Sequence, residues 1–202
     1  LDEIRGGSGG LPVRAGRGDL HRHAVPDPRV EDGRMITTPE FPLIGEPGSW
    51  DDLTLTAGTI LLEAEGEPPE GQLAVGTVIR WRAEAWRLTI RQVILGPEGR
   101  AYEDGKAFEA FSAWNDDYKP MAQARLTSAT PLSREAAWKA ASAALWRLLP
   151  DPAPGALYYL QPELTLKIRG GTFPAWAADP SNRGRLDERK VVARIGRHVF
   201  LL

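Results

Sequence analysis

Cysteine is absent from all 202 residues, which removes disulfide frameworks, thiol nucleophiles and cysteine metal sites together. Histidine is scarce. Of the three present, His21 and His23 sit in a loop-like N-terminal stretch without partner ligands nearby, and nothing resembles a His-Glu-x-x-His helix. The sequence therefore predicts neither a metal site nor a cofactor. Charge of one sign is lacking too: the net charge is −2, so there is no global basic field for nucleic acid or for an anionic membrane surface. No apolar run approaches the ~20 residues that a membrane-spanning helix needs, and the first residues lack the apolar core of a secretory signal. The chain opens on Leu1, as a processed or incomplete start would. What is plentiful is apolar and aromatic material. With 42% hydrophobic residues and seven tryptophans, the chain can build one ordinary globular domain with some chain left over.

That surplus falls at the N-terminus. Residues 1–48 hold the glycine-rich run Arg5-Gly6-Gly7-Ser8-Gly9-Gly10 and prolines at 12, 26, 28, 39, 42 and 47, and no helical or strand period survives among them. Six arginines balance six acids up to Arg34, which argues against an RNA-binding tract. The expectation is an extended or flexible arm over 1–48 that runs across its own domain or onto a partner protein, ahead of a folded domain over 49–202.

The folded part begins with a helix to about Ala64, with Ser49 as its cap and Leu53, Ala57, Ile60, Leu61 and Ala64 at spacings of three and four. Gly66 and Pro68-Pro69 interrupt it. Pro69 suits the first turn of a second helix, about 69–84, with Leu73, Ala74, Val78, Ile79 and Trp81 inward. Between the two lies a tight acidic joint holding Glu63, Glu65, Glu67 and Glu70. Two readings of it stand side by side. Glu63, at the edge of an apolar stripe, can act as a general acid if burial disfavours its charge; equally, the four glutamates can be the solvated end of a helix.

Downstream, Thr89 to Gly96 reads as a short capped helix, and residues 97–106 carry two turn signals. Phe108 to Trp114 is an aromatic segment followed by a loop over 115–120. An alanine-rich helix starts at Ser133, packs Ala136, Ala137, Ala140, Ala141, Ala144, Leu145 and Leu148, and stops at Pro150. Ala156 to Leu160 is a short strand, 161–189 is loop-rich, and 191–202 forms two strands about Gly196. Helices first and small strands last make an α+β fold.

The joint and four later pieces together resemble the SleB-type cell wall hydrolases, the spore-cortex-lytic enzymes and their bacterial and phage relatives. The pieces are Glu63-Ala64-Glu65-Gly66-Glu67-Pro68-Pro69-Glu70-Gly71-Gln72, Phe111-Ser112-Ala113-Trp114-Asn115-Asp116, Gly155-Ala156-Leu157-Tyr158-Tyr159, Pro174-Ala175-Trp176-Ala177 and Ile195-Gly196-Arg197-His198-Val199-Phe200. The resemblance implies a lysozyme-like, lytic transglycosylase-like helical domain with a small β-sheet, acting on the glycan strands of peptidoglycan in the cell wall, the periplasm or outside the cell. It implies that Glu63 is catalytic, with Glu67, Glu70 and Gln72 on supporting positions of the motif, expected to contact substrate, and Glu65 on a variable one. Trp81 and Ala113 depart from the family's usual Asn and Cys.

On that implication Glu63 protonates the leaving oxygen at the β-1,4 bond after N-acetylmuramic acid. As a carboxylate it then takes the proton from the muramic acid 6-hydroxyl, giving a 1,6-anhydro product. A hydrolytic muramidase would need a second carboxylate, for which Glu67 and Glu70 are nearest in sequence. Trp114, Tyr158, Tyr159 and Trp176 are candidates for sugar subsites or for core, Asn115 for an acetamido contact or a turn cap, and His198 for a packed histidine. The rival expectation is a structural or binding component of a virion or envelope assembly that keeps the fold and docks through residues 1–48; the two combine in a virion-associated lysin.

Overall fold

The structure, a computed structural model, describes Val30, Glu31, Arg34, Met35, residues 47–96, Phe111, Trp114 and residues 119–202. The chain divides into two units, residues 1–37 and 38–202. In the first, β1 (Val30–Glu31) and β2 (Arg34–Met35) pair as a minimal antiparallel ladder, where the proline and glycine pattern predicts no regular element.

The second unit is built around one helix. Helix α1 (Asp52–Ala64) is buried on every side from Thr54 to Leu62 and touches four other helices: α2 (Pro69–Trp86), α3 (Ile90–Leu95), α4 (Lys119–Ser128) and α5 (Pro131–Leu145). A helix apolar all round belongs in a core, so the predicted stripe is wider than its spacing suggested. Its interior threonines are satisfied locally: Thr56 and Thr59 donate to the carbonyls of Asp52 and Leu55, four residues back. The cap differs from expectation. Ser49 belongs to a preceding 3-10 turn, and Asp51 accepts the hydrogen bond from the Thr54 amide at 2.6 Å. An aspartate at this place also meets the positive end of the helix dipole.

Gly76 lets α2 and α5 approach closely, since a Cβ there would lie 2.8 Å from that of Ala144. Helix α5 is capped by Thr130, with Ser133 inside its first turn, and ends at Leu145, which leaves Leu148 exposed instead of packed. Helix α3 has the expected Thr89 capping box, and Gly96 follows it at φ 83°. Helix α4, in a stretch the sequence predicts as loop up to Pro120, buries Ala122 and Leu126, and Ala129 is buried just past its end. The turn signals over 97–106 lie outside the described residues.

A three-stranded antiparallel sheet, ordered β3 (Tyr158–Leu160), β7 (His198–Leu201), β6 (Val191–Ile195), closes the domain beside the helices. The segment expected to be loop-rich also contains α6 (Pro162–Ile168) and a hairpin of β4 (Ala178–Asp179) with β5 (Asn182–Leu186). The observed architecture is thus the expected α+β arrangement, mostly helical with a small antiparallel sheet.

Candidate active site

The joint between α1 and α2 is held by a residue from the far end of the chain. Glu67 turns inward at the bend, with its side chain only 1% exposed. Its Oε2 accepts a hydrogen bond from the Arg197 backbone amide at 2.8 Å and its Oε1 one from Arg197 Nε at 2.7 Å. Burial raises the Glu67 pKa, but the two hydrogen bonds from Arg197 and the nearby charges outweigh it and leave the carboxyl below its ordinary value. Arg197 and Gly196 form the two-residue turn between β6 and β7. Gly196 has φ +57°, and a Cβ on it would fall 1.9 Å from Glu67 Oε2. Only glycine lets the turn come this close while holding that backbone conformation. Gln72, one turn into α2, donates from Nε2 to the Glu67 carbonyl at 3.2 Å and is itself buried.

With the joint fixed, Glu63 on the last turn of α1 reaches the side of a cleft of about 430 Å³. Leu62, Glu65, Met121, Arg125, Gln161, Leu164 and Arg197 line the cleft with it. Glu63 is half-buried. Tyr159 of β3 donates its hydroxyl to Glu63 Oε2 at 3.2 Å. Burial first, and the Glu63 charge second, raise the tyrosine well above its ordinary pKa, so it remains a donor at any working pH. Arg82 ties the strand in place: its Nε donates to the Leu157 carbonyl at 2.6 Å, and its guanidinium lies 5.1–5.5 Å from the rings of Phe111, Trp86 and Tyr158.

Of the residues expected at the site, the structure brings Glu63 and Tyr159 into hydrogen-bond contact and sets Glu67, Glu70, Gln72, Trp114, Tyr158 and Trp176 apart from the cleft. Glu67 and Gln72 hold the joint from inside. Glu70 is exposed and lines a separate, more apolar groove of about 690 Å³ between α2 and α5, with Leu73, Leu132 and Ala140. Trp114 is buried, donating to Thr59 Oγ1 at 2.9 Å and meeting Trp50 edge-on. Tyr158 neighbours Tyr159, and successive strand residues face opposite ways. It packs against a second apolar cluster and stacks on Trp176 at 4.9 Å, and neither ring lines the Glu63 cleft. Trp176 keeps 39% of its surface exposed there. Asn115 lies outside the described residues. His198 is packed as expected, T-shaped against Tyr159, and burial lowers its pKa.

Glu65, at a variable position of the motif, is not expected at the site. It is exposed, yet it lines the cleft, with Arg125 at 3.8 Å. Met121, Arg125, Gln161 and Leu164 were not singled out at all. They stand on or beside α4 and α6, the two helices the sequence reading did not find. The spacing of Ala122, Leu126 and Ala129 was the available signal for α4. Among the described residues no group of three or more His, Asp or Glu side chains could hold a metal ion.

A solved structure of the catalytic domain of the Bacillus cereus SleB protein is similar at 27% identity, covering 75% of this chain and 89% of that one with a TM-score of 0.48. No curated protein matches the chain significantly. The family model described as Cell Wall Hydrolase matches residues 66–201, beginning just after Glu63 and Glu65 and taking in the Glu67 anchor, Tyr159 and the Gly196-Arg197 turn. Since that match runs from the acidic joint through the last strand, over more than half of the residues, the chain belongs to the cell wall hydrolase family, enzymes that act on peptidoglycan.

Proposed function

We propose that the protein cleaves peptidoglycan glycan strands at the β-1,4 bond after N-acetylmuramic acid, as a lytic transglycosylase with Glu63 as its acid and base. The observation that carries this reading is Glu63 on the side of a cleft, hydrogen-bonded by a tyrosine from the strand that Arg82 ties in place. The protonated Glu63 gives its proton to the glycosidic oxygen as the bond from that oxygen to the muramic C1 breaks. The carboxylate then removes the proton from the 6-hydroxyl of the same sugar, and the freed oxygen bonds to C1. No water is consumed, and Glu63 ends protonated. Tyr159 acts as a positioning residue that fixes the carboxyl rotamer. The aliphatic side chains of Leu62, Met121 and Leu164 supply apolar surface for the sugar faces.

A hydrolytic muramidase is the second reading, favoured by Glu65 on the same cleft; Glu67 and Glu70 drop out as its base because one is buried and the other lies on a different groove. No helix among the described residues is long and apolar enough to cross a membrane, and the substrate class places the action outside the cytoplasm. The test is digestion of purified peptidoglycan followed by mass spectrometry of the soluble products. Anhydro-muropeptides that vanish with Glu63→Gln support the reading; reducing-end products carrying added water favour the muramidase, and free peptides would overturn both.

A further inference from the structure

The Glu63 cleft does not end at Arg197. Gln161, Leu164 and Arg197 line it and also line a second hollow of about 610 Å³, bounded by α6 and the β6–β7 hairpin. The two hollows therefore share a wall, and a ligand lying over that wall would occupy both. Their chemistry differs. The second holds Lys167, Arg194 and Arg197 with Glu163 as its one acid among the described lining residues, and Leu164 and Val199 supply apolar surface.

Its cations retain donors. Arg197 engages Glu67 through Nε and its backbone amide, and the guanidinium's two terminal nitrogens have no partner among the described residues, on a side chain 63% exposed. Arg194 holds Glu188 through Nη2 alone, at 2.6 and 2.7 Å from the two carboxylate oxygens. Lys167 has no ion pair among the described residues. Forked N–H groups on a half-apolar wall suit carboxylates carried on a peptide. His198 also borders this hollow and is held neutral by burial, so it adds no charge.

We propose that this hollow is a subsite for the carboxylates of the stem peptide borne by the muramic acid residue, making the enzyme selective for peptide-substituted strands. The inference rests on the reading of Glu63 as the glycan-cleaving acid. The sugar cleaved there is the one that carries the lactyl group, and its substituent can run from the cleft into an adjoining hollow. Among the described residues, the cationic hollow shares a wall with the cleft and lies ready to take it.

Two measurements test it. Wild-type protein is compared on intact peptidoglycan and on strands stripped of peptide by an amidase. The expected kcat/KM ratio is about fivefold in favour of the peptide-bearing strands, the scale of one or two exposed charge contacts, and it falls towards one in the Lys167→Gln/Arg194→Gln double variant. Separately, Glu63→Gln protein is titrated calorimetrically with a soluble disaccharide-peptide and with the same disaccharide lacking peptide; the former is expected to bind about fivefold tighter, and the double substitution to remove the difference. Equal rates on the two substrates, an unchanged ratio in the double variant, or equal binding of the two ligands overturns the proposal. If neither substrate is cleaved, the glycan-cleaving reading fails while the titration still decides the subsite.

Discussion

Replacing Gly196 by alanine tests the anchor on which the cleft depends. The new Cβ would sit 1.9 Å from Glu67 Oε2 and 2.9 Å from Pro68 Cδ, both within the tight joint. Pro68 is held by its ring, so the carboxylate has to move. Moving it breaks at least one of the two hydrogen bonds with Arg197, and a buried, charge-assisted bond of this kind is worth about 1.5–3 kcal/mol. Holding alanine at φ +57° adds about 1–2 kcal/mol. The expected loss is therefore about 3–5 kcal/mol, or roughly 10 °C in Tm for a chain of this length. Gly170→Ala is the matched control. Gly170 has φ +63° with nothing within 4 Å of its would-be Cβ, so it suffers the backbone term alone, roughly 3 °C. Both changes stiffen the unfolded chain alike, and the difference between them isolates the Glu67 clash. Thermal unfolding followed by circular dichroism reads both. Equal shifts for the two variants would refute the anchor argument, because no cost would then attach to displacing the carboxylate.

Three further outcomes follow from the same geometry. Tyr159→Phe removes the hydroxyl that holds Glu63, and steady-state kinetics should show kcat falling about tenfold or more with KM little changed; a KM effect alone would make Tyr159 a sugar contact instead. Trp176→Ala, away from the cleft, should leave KM for glycan within about twofold while lowering stability by about 1–2 kcal/mol, and a tenfold rise in KM would restore it as a subsite. Stability should also decline on acidification in two stages. His198 is held below its ordinary value of 6.5, so the unfolded chain binds its proton first and stability falls as pH drops below about 6.5. Glu67, held below 4.5, adds a second loss below that value. Urea titrations across about pH 3–8 check this; the upper stage should disappear in His198→Phe, and a flat profile in the wild type would contradict the assignment.

How much of this was legible in the sequence depended on how local the cause was. The α1–α2 joint was readable because apolar spacing, Gly66 and Pro68-Pro69 act over a few residues, and the two last strands because Gly196 breaks a β-rich run. The cap was misplaced by two residues since Ser49 and Asp51 are both good caps, and only the observed backbone chooses between them. Helix α6 was hidden because it buries nothing and so leaves no apolar period. Helix α4 left only a weak stripe of Ala122, Leu126 and Ala129. Most opaque were pairings across long separations. Nothing local announces that Glu67 is neutralised by Arg197, 130 residues away, or that Tyr159 rather than its neighbour Tyr158 meets Glu63. Those two facts moved Glu67 from substrate contact to scaffold and split the aromatic set into a site residue and a distant stack.

In the proposed mechanism Glu63 acts as both acid and base, and the muramic 6-hydroxyl, in place of water, is the nucleophile. Digesting purified peptidoglycan in water enriched in heavy oxygen tests it most directly, with mass spectrometry of the new muramic acid ends. The wild-type protein should give anhydro ends carrying no heavy oxygen, and Glu63→Gln none of these ends. Incorporation of heavy oxygen at the new reducing ends, or undiminished release by the Glu63→Gln protein, would contradict it.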